Sequence, residues 1–206
     1  ILESKLVSFT LYHLAHMVRR VSGAVVNIYF EKYASQAEEG TIDIFRKARD
    51  ESRTKNFFIL NASSSAYRRL KDESGSTRNF PLRRYWLMYR ANNVIATEVP
   101  QHVNILRSGN KYARRAPYSQ RFIFLQHGIT YLKAQDQTSA FIKNREGEPN
   151  YMVVGSKKER DAVADMLGIE EERLLNVGLP IYDTIKHGHI TQASPDIVTI
   201  MLTWKP

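Results

Sequence analysis

Short apolar runs alternate with helical patterns along most of this chain, and this alternation is the feature that most constrains its fold. Runs such as AVV at 24–26, FFIL at 57–60 and FIFL at 122–125 are continuous rather than alternating in polarity. Continuous runs of this length are typical of strands that are buried on both faces, as in parallel sheets covered by helices. The pattern therefore predicts an α/β fold, with a Rossmann-like parallel sheet and helices on both faces.

The predicted elements follow one another along the whole chain. Apolar residues at helical spacing predict helices at 3–20, 41–52, 63–73, 81–91 and after Ser156. Apolar runs predict strands at 24–30, 56–62, 92–97, 121–126, 150–155, 173–178 and 196–202. Ligands of parallel sheets bind beyond the carboxyl ends of the strands. The sites to consider are therefore three strand exits, at His127-Gly128, Gly155-Ser156 and Gly178-Pro180.

Composition narrows the classes of function. The absence of cysteine excludes disulfides, thiol catalysis and cysteine-ligated zinc. No apolar run approaches the roughly 20 residues that span a bilayer, and no Gly-rich phosphate-loop motif occurs. The net charge of +9 favours an anionic partner, which could be nucleic acid, an anionic membrane surface or a phosphate-rich substrate.

The strand exit at residues 126–128 leaves two interpretations of its histidine open. His127 is either a general base with a pKa suited to neutral pH or a structural histidine that hydrogen-bonds to a nearby carbonyl. In the second case Gly128 serves only to supply a positive φ. The local sequence by itself favours the structural interpretation.

The other two exits also have competing explanations. Ser156 is a good N-cap, and Glu159 three residues later completes a capping box, although the free N–H groups of the helix start could also hold a phosphate. Gly178 and Pro180 shape a turn before the next helix. Asp183 is either a carboxylate favoured at a helix start or an active-site partner.

A basic segment at 105–121 separates the predicted strand at 92–97 from the apolar run that begins at Phe122. It contains no acidic residue and has tyrosines interleaved with its cations; the cations assigned to binding are Arg107, Lys111, Arg114 and Arg115. Such a segment could bind single-stranded nucleic acid, a phosphate polymer or lipid headgroups. It could equally be a solvated loop.

The strand exits, taken in order, resemble a known family. FLQHGITYLK, YMVVGSKKERDAV, LLNVGLPIYD and DIVTIMLTWKP follow one another as do the motifs of the CDP-glycerol glycerophosphotransferases, which include wall teichoic acid primases and polymerases. In that family a His-Gly motif ending in Leu-Lys precedes a strand-end serine, a Gly-x-Pro-Arg-x-Asp motif and a strand that opens a second domain. VVNIYFEKYA at 25–34 resembles the family's first strand and its phenylalanine-glutamate pair.

The resemblance implies a GT-B fold, in which two Rossmann-like domains face each other across a cleft. Residues 1–190 would form the N-terminal, acceptor-side domain. Residues 191–206 would form the linker and the first strand of a donor-binding domain, so that most of the donor-binding residues would lie outside this chain.

The implied reaction moves glycerol phosphate from CDP-glycerol to a hydroxyl of a lipid-linked teichoic-acid or capsule-type acceptor and releases CMP. By its match to the family motif, His127 would be the base, with Asp183 as a second catalytic residue. The remaining matches would be substrate-binding residues: Gly128, Lys133, Ser156, Gly178 and Pro180. No cofactor or metal is implied.

Two departures from the family motifs leave the donor open. One extra residue separates His-Gly from Leu-Lys, and Ile181 stands where the motif has arginine. CDP-ribitol or another CDP-polyol therefore remains an alternative donor. Two further alternatives are a GT-B glycosyltransferase that uses a sugar nucleotide and a non-enzymatic, basic nucleic-acid-binding domain.

The resemblance also gives the positive charge an interpretation. An enzyme that extends a polyanion at an anionic membrane would use Arg107, Lys111, Arg114 and Arg115 as acceptor or membrane contacts. The expected location is the cytoplasmic face of the bacterial cell membrane, as a peripheral protein. Nucleic acid is not the expected partner.

Overall fold

A seven-stranded parallel sheet forms the centre of this computed structural model, which describes residues 5–51, 53–73, 76–77, 81–103, 112, 116–128 and 148–187. The strands are β1 (Val25–Phe30), β2 (Thr54–Ile59), β3 (Ser76–Thr77), β4 (Asn93–Ala96), β5 (Arg121–Phe124), β6 (Tyr151–Val154) and β7 (Leu174–Asn176). Every pairing in the sheet is parallel.

Six α-helices with described bounds accompany the sheet. They are α1 (Lys5–Val21), α2 (Thr41–Arg49), α3 (Ser65–Leu70), α4 (Pro81–Arg90), α5 (Lys157–Leu167) and α6 (Pro180–His187). Short 3₁₀ turns occur at Lys32–Ala34, Pro100–Val103, Ala116–Ser119 and Glu171–Arg173. Among the described residues, no helix is both long and apolar enough to cross a membrane.

The helices cover both faces of the sheet, as the continuous apolar runs predict. On one face, residues of α1, α4 and α5 pack against the strands, with Ala15, Met88 and Val163 among the fully buried contacts. On the other face, α2 and α3 pack against a second cluster that contains Phe45 and Leu70. The predicted α/β fold class is confirmed.

The strand order decides where a ligand site can form. It is β3-β2-β1-β4-β5-β6-β7, so the chain builds outward from β1 in one direction and then returns to build outward from β4 in the other. The loops that leave the carboxyl ends of β1 and β4 therefore lead in opposite directions and leave a crevice between them. Open α/β sheets bind ligands in a crevice of this kind.

The element boundaries differ from the sequence-based predictions at several places. The helix predicted at 63–73 is only the six-residue α3, and the helix predicted at 41–52 ends at Arg49. The two-residue strand β3 has too few residues to show a pattern and was not predicted. The strand predicted at 196–202 and the domain boundary at 190–191 lie outside the described residues, so both remain predictions.

Candidate active site at the carboxyl edge of the sheet

His127 lies three residues beyond the end of β5 and is exposed. Its Nδ1 is 2.9 Å from the carbonyl oxygen of Thr97, at the end of the neighbouring strand β4. A carbonyl oxygen can only accept a hydrogen bond, so Nδ1 must carry the proton. In the neutral ring, Nε2 is then the unprotonated nitrogen and can accept a proton from a ligand.

The strained residue at this exit is Gln126, not Gly128. Gln126 has a φ of 59°, and its buried side chain donates from Nε2 to the carbonyl oxygen of Val153 at 2.5 Å. Gly128 is not among the described residues of positive φ, so the predicted reason for that glycine is wrong. Within the described parts of the chain, a Cβ at Gly128 would meet nothing within 4 Å.

Thr97 connects His127 to the loop that follows β1. Thr97 is fully buried, and its hydroxyl donates to Glu39 Oε2 at 2.6 Å. The other carboxylate oxygen of Glu39 forms an ion pair with Lys32 Nζ at 2.7 Å. The hydrogen bond to Glu39 raises the pKa of Lys32. The β1 and β4 exits are thus joined through side chains directly behind the histidine.

Glu98, the next residue, makes a second connection between the same exits. Its Oε2 accepts from the Tyr33 backbone N–H at 3.0 Å and lies 2.7 Å from His102 Nδ1. Burial acts to raise the pKa of Glu98. The hydrogen bonds from His102 and Tyr33, together with the charges of His102 and His127, outweigh burial and lower that pKa. Glu98 is therefore an anion at neutral pH, close to His127.

Glu31 fixes the loop that leads from β1 to α2. Its side chain is fully buried, and its two oxygens accept four backbone N–H bonds, from Glu38, Glu39, Thr41 and Ile42, at 2.5–3.3 Å. Burial raises the pKa of Glu31, while several of these N–H donors oppose the shift. This carboxylate takes up N–H groups at the start of α2 that have no partner within the helix.

The turn directly after β1 has an unusual backbone. Lys32, Tyr33 and Ala34 have φ values of 22°, 53° and 54°, a region that costs a non-glycine residue roughly 1 kcal/mol or more. Ser35 donates to the Lys32 carbonyl from both its backbone N–H and its hydroxyl. The Ala34 carbonyl accepts from the N–H of Asn61. Hydrogen bonds within the turn and one from Asn61 thus hold the strained turn in place.

The structure gives Ser156 the role of a helix cap. Its hydroxyl accepts the Glu159 N–H at 3.1 Å, at the start of α5. Glu159 is buried, and its Oε2 accepts the Gly155 N–H at 2.6 Å. The predicted capping arrangement is present, although the glutamate returns to Gly155 rather than to Ser156 itself. No contact here tests the alternative role in substrate binding.

The exit of β7 is shaped by close packing. Gly178 has a φ of 84° and donates to the Val154 carbonyl at 3.2 Å. Pro180 begins α6 and lies so near Gly40, at the start of α2, that a Cβ on Gly40 would be 2.6 Å from the Pro180 Cβ. Pro180 therefore brings the starts of α2 and α6 together. Its role in substrate binding remains a prediction.

Asp183 lies exposed in the first turn of α6. A carboxylate at this position is stabilised by the positive end of the helix dipole. Among the residues that the structure describes, Asp183 is not a hydrogen-bond partner of His127, whose ring is bound to Thr97 instead. Its proposed catalytic role is untested. Lys133, Arg107, Lys111, Arg114 and Arg115 lie outside the described residues, so their predicted contacts are also untested.

Sequence reasoning missed the part of the site that lies on β1 and β4. The exits considered from sequence were those of β5, β6 and β7, whereas Tyr33, Glu39, Thr97, Glu98 and His102 surround the crevice. The sequence could have indicated this part of the site, because polar residues directly follow the apolar runs that end at Phe30 and Ala96. Within the described parts of the chain, no group of three or more His, Asp or Glu residues is arranged to hold a metal ion.

Comparison with known proteins identifies a family. The sequence profile of the family described as CDP-Glycerol:Poly(glycerophosphate) glycerophosphotransferase matches residues 12–199. No curated protein matches the sequence significantly.

Several solved structures share the fold. A histidine-to-alanine variant of the wall teichoic acid polymerase TagF aligns with a TM-score of 0.55 and 11% identity, over 87% of this chain and 45% of that one. A histidine-to-asparagine TagF variant with CDPG aligns with a TM-score of 0.55 and 12% identity, over 90% of this chain and 48% of that one. The chain thus spans less than half the length of these structures. The likeness shows an α/β fold similar to that of TagF.

Proposed function

The chain belongs to the CDP-Glycerol:Poly(glycerophosphate) glycerophosphotransferase family, and from that membership we propose that it supplies the base-bearing, acceptor side of a polyol-phosphate transferase. The proposed reaction transfers glycerol phosphate from CDP-glycerol to a hydroxyl of a lipid-linked teichoic-acid or capsule-type acceptor and releases CMP. Residues 1–190 would form the acceptor-side domain and residues 191–206 the beginning of the donor-binding domain.

One observation carries the proposal: His127 is exposed beside the β1–β4 crevice with its Nδ1 committed to the Thr97 carbonyl. That hydrogen bond selects the tautomer in which Nε2 is free to accept a proton. A ligand that enters the crevice meets this basic nitrogen, because the carbonyl holds the ring from behind. The arrangement supports general-base catalysis of an attack by a hydroxyl group.

The chemical step follows from this geometry. The acceptor hydroxyl gives its proton to His127 Nε2 as its oxygen forms a bond to the phosphorus that carries glycerol. The bond from that phosphorus to the bridging pyrophosphate oxygen breaks, and CMP leaves with the electron pair. Ionised Glu98 is close enough to stabilise the imidazolium that forms. Positioning and one base are sufficient, since the pyrophosphate linkage already activates the donor.

Replacing His127 tests the proposal in the full-length protein. His127→Ala removes the base and should lower the rate of CMP release from CDP-glycerol in the presence of acceptor by about 10²–10⁴-fold. Because the ring is exposed, the thermal unfolding midpoint should change little. His13→Ala is a matched control, since it removes an exposed histidine from α1, a helix that does not form the crevice. Full turnover by His127→Ala would refute the assigned role.

The donor is proposed to be CDP-glycerol or a related CDP-polyol. The family description names CDP-glycerol, and the family resemblance motivates the choice. Ile181, where the family motif has arginine, keeps CDP-ribitol as an alternative. Thermal-shift titration of the full-length protein with CDP-glycerol, CDP-ribitol and a sugar nucleotide separates these cases, since only a bound donor stabilises the folded state.

We also propose that the protein lies at the cytoplasmic face of the bacterial membrane. The outer face of α1 supports this location: Leu6, Met17 and Val21 are 72%, 55% and 80% exposed, and their positions lie on one side of the helix. Neither α1 nor α4 contains an acidic residue, and exposed Arg20 lies beside this apolar face. Apolar residues flanked by cations suit the surface of an anionic bilayer.

Sedimentation with lipid vesicles tests the location. The full-length protein should bind vesicles that contain phosphatidylglycerol more strongly than vesicles of phosphatidylcholine alone. Combined replacement of Leu6, Met17 and Val21 by serine should weaken binding at least tenfold, because each side chain contributes on the order of 1 kcal/mol of apolar transfer. Val177→Ser, at a 76% exposed valine after β7, is the matched control and should leave binding unchanged. Equal binding by the triple variant would exclude this surface.

A further inference from the structure

The rings of Tyr33 and His102 form a flat stack at the mouth of the crevice. Their centroids are 4.3 Å apart and their planes are inclined by 27°. The other ring pairs that the structure describes have interplanar angles between 42° and 87°. Tyr33 remains 48% exposed although it is a large aromatic side chain. The stack therefore presents ring surface to solvent instead of burying it in the core.

A single carboxylate fixes the stack to the strand exit that also holds the base. Glu98 Oε2 accepts the Tyr33 N–H and contacts His102 Nδ1, so it sets both the position of the Tyr33 backbone and the orientation of the His102 ring. The residue before Glu98 is Thr97, whose carbonyl binds His127. Consecutive residues of one strand exit thus place the aromatic surface and the histidine beside the same crevice.

The strained turn makes the position of Tyr33 specific. A tyrosine with a φ of 53° between two further residues of positive φ is unfavourable unless other contacts hold it. The bonds from Ser35 to Lys32 and from Asn61 to Ala34 supply those contacts. Relaxing the turn would move the ring away from His102 and Glu98, so the contacts that hold the strain also hold the exposed ring.

The charges around the stack favour a neutral ligand. Lys32 is paired with Glu39, and Glu98 is paired with His102, while Glu31 is buried behind the turn. His127 also belongs to this group and is exposed beside the crevice. Among the described residues of this group, Lys32 is the one lysine or arginine and it is paired with Glu39, which suits hydroxyl groups and C–H surfaces better than a phosphate.

We propose that the Tyr33–His102 stack is the subsite for the terminal, hydroxyl-bearing unit of the acceptor. The C–H face of that unit, from a sugar ring or a glycerol, lies against the Tyr33 ring, and its free hydroxyl points to His127 Nε2. Aromatic faces bind C–H surfaces by apolar contact without requiring charge. The stack thereby holds the attacking oxygen at the base, which is the positioning that the transfer needs. This inference rests on the proposed function.

Steady-state kinetics of the full-length protein test the subsite. Tyr33→Asn removes the ring but keeps a residue that tolerates positive φ, so the turn should be retained. This variant should raise the KM for the acceptor roughly fivefold or more and leave the KM for CDP-glycerol within twofold. Tyr33→Phe keeps the ring and should resemble the unmodified protein. Tyr151→Thr, which removes a half-exposed ring at the opposite edge of the sheet, should change neither KM.

A binding measurement tests the subsite without measuring enzyme activity. It also does not require that the Tyr33→Asn variant folds. In protein labelled with fluorotyrosine, the ¹⁹F resonance that disappears in Tyr33→Phe identifies Tyr33. Titration with a short glycerol phosphate oligomer or with chitobiose should shift this resonance, and the probe with the larger shift distinguishes a polyol from a sugar acceptor unit.

The possible outcomes separate this inference from the proposed function. An unchanged acceptor KM in an active Tyr33→Asn variant would overturn the subsite and leave the transferase standing. A Tyr33 shift with CDP-glycerol alone would assign the stack to the donor and also overturn it. If the unmodified protein transfers nothing but either probe shifts Tyr33, the transferase proposal fails and the binding subsite remains. No shift with either probe would refute the subsite.

Discussion

At the scale of single residues, Glu31 shows how a buried charge can be structural. Its oxygens accept four backbone N–H bonds, and no apolar side chain could satisfy those donors. A carboxylate directly after a buried strand would often indicate catalysis. Here the fully buried position and the four backbone partners identify an anchor for the loop between β1 and α2.

Glu31→Gln should lower the free energy of unfolding by about 2–4 kcal/mol. The amide replaces one accepting oxygen by an NH₂ group, so two buried N–H groups then face a donor and lose their partner. Urea denaturation at pH 7 measures the effect. Glu38→Gln alters an exposed carboxylate that is paired with Arg69, and it should change stability by less than about 1 kcal/mol. Equal effects of the two substitutions would contradict the anchoring role.

At the scale of secondary-structure elements, the start of α5 has the serine cap that its sequence indicates. Ser156 caps the helix, and Glu159 returns to the preceding loop through Gly155. The same arrangement recurs at α3, where the Ser64 hydroxyl accepts the Tyr67 N–H. Helix starts can be predicted from sequence because their hydrogen bonds join residues only three or four positions apart.

Ser156→Ala should lower the free energy of unfolding by about 1 kcal/mol, since the Glu159 N–H loses its acceptor. Ser156→Gly should cost only a few tenths of a kcal/mol, because glycine is also accepted at this cap position. Chemical denaturation of both variants provides the measurement. A larger loss in the glycine variant than in the alanine variant would contradict a simple capping role.

At the scale of the whole molecule, Glu98 links two strand exits whose residues are distant in sequence. Its pKa in the folded state lies below the ordinary value of 4.5, so the folded state favours the ionised form. The resulting stability is fully present above about pH 4.5 and is lost as the pH falls through the folded pKa. Glu31, whose pKa is raised, acts in the opposite direction.

The free energy of unfolding should therefore fall less steeply with acidification in Glu98→Gln than in the unmodified protein. The difference between the two proteins should be greatest at neutral pH and should narrow below pH 4.5, because protonation removes the same charge that the substitution removes. Urea denaturation at a series of pH values gives both curves. A constant difference at all pH values would show that the ionisation of Glu98 does not stabilise the fold.

Much of the architecture could be predicted because it depends on local patterns. Continuous apolar runs indicated the buried strands, and serines at helix starts indicated their caps. The shortened α3 and the two-residue β3 were not resolved by sequence, since their limits depend on packing rather than on spacing. Gln126 was also missed, because a positive φ at a residue other than glycine is imposed by its surroundings, here the hydrogen bond to Val153.

The sequence by itself determined that this protein is a helix-covered parallel α/β domain with a histidine at a strand exit, and its ordered motifs indicated the family. Only the tertiary structure decided which exits share a crevice, because strand order is set by contacts between residues far apart in the chain. That order brings Tyr33, Thr97, Glu98 and His102 to His127. The physical reason is that local hydrogen-bonding and burial patterns are encoded over a few residues, whereas a site made from neighbouring strands exists only once the sheet has formed.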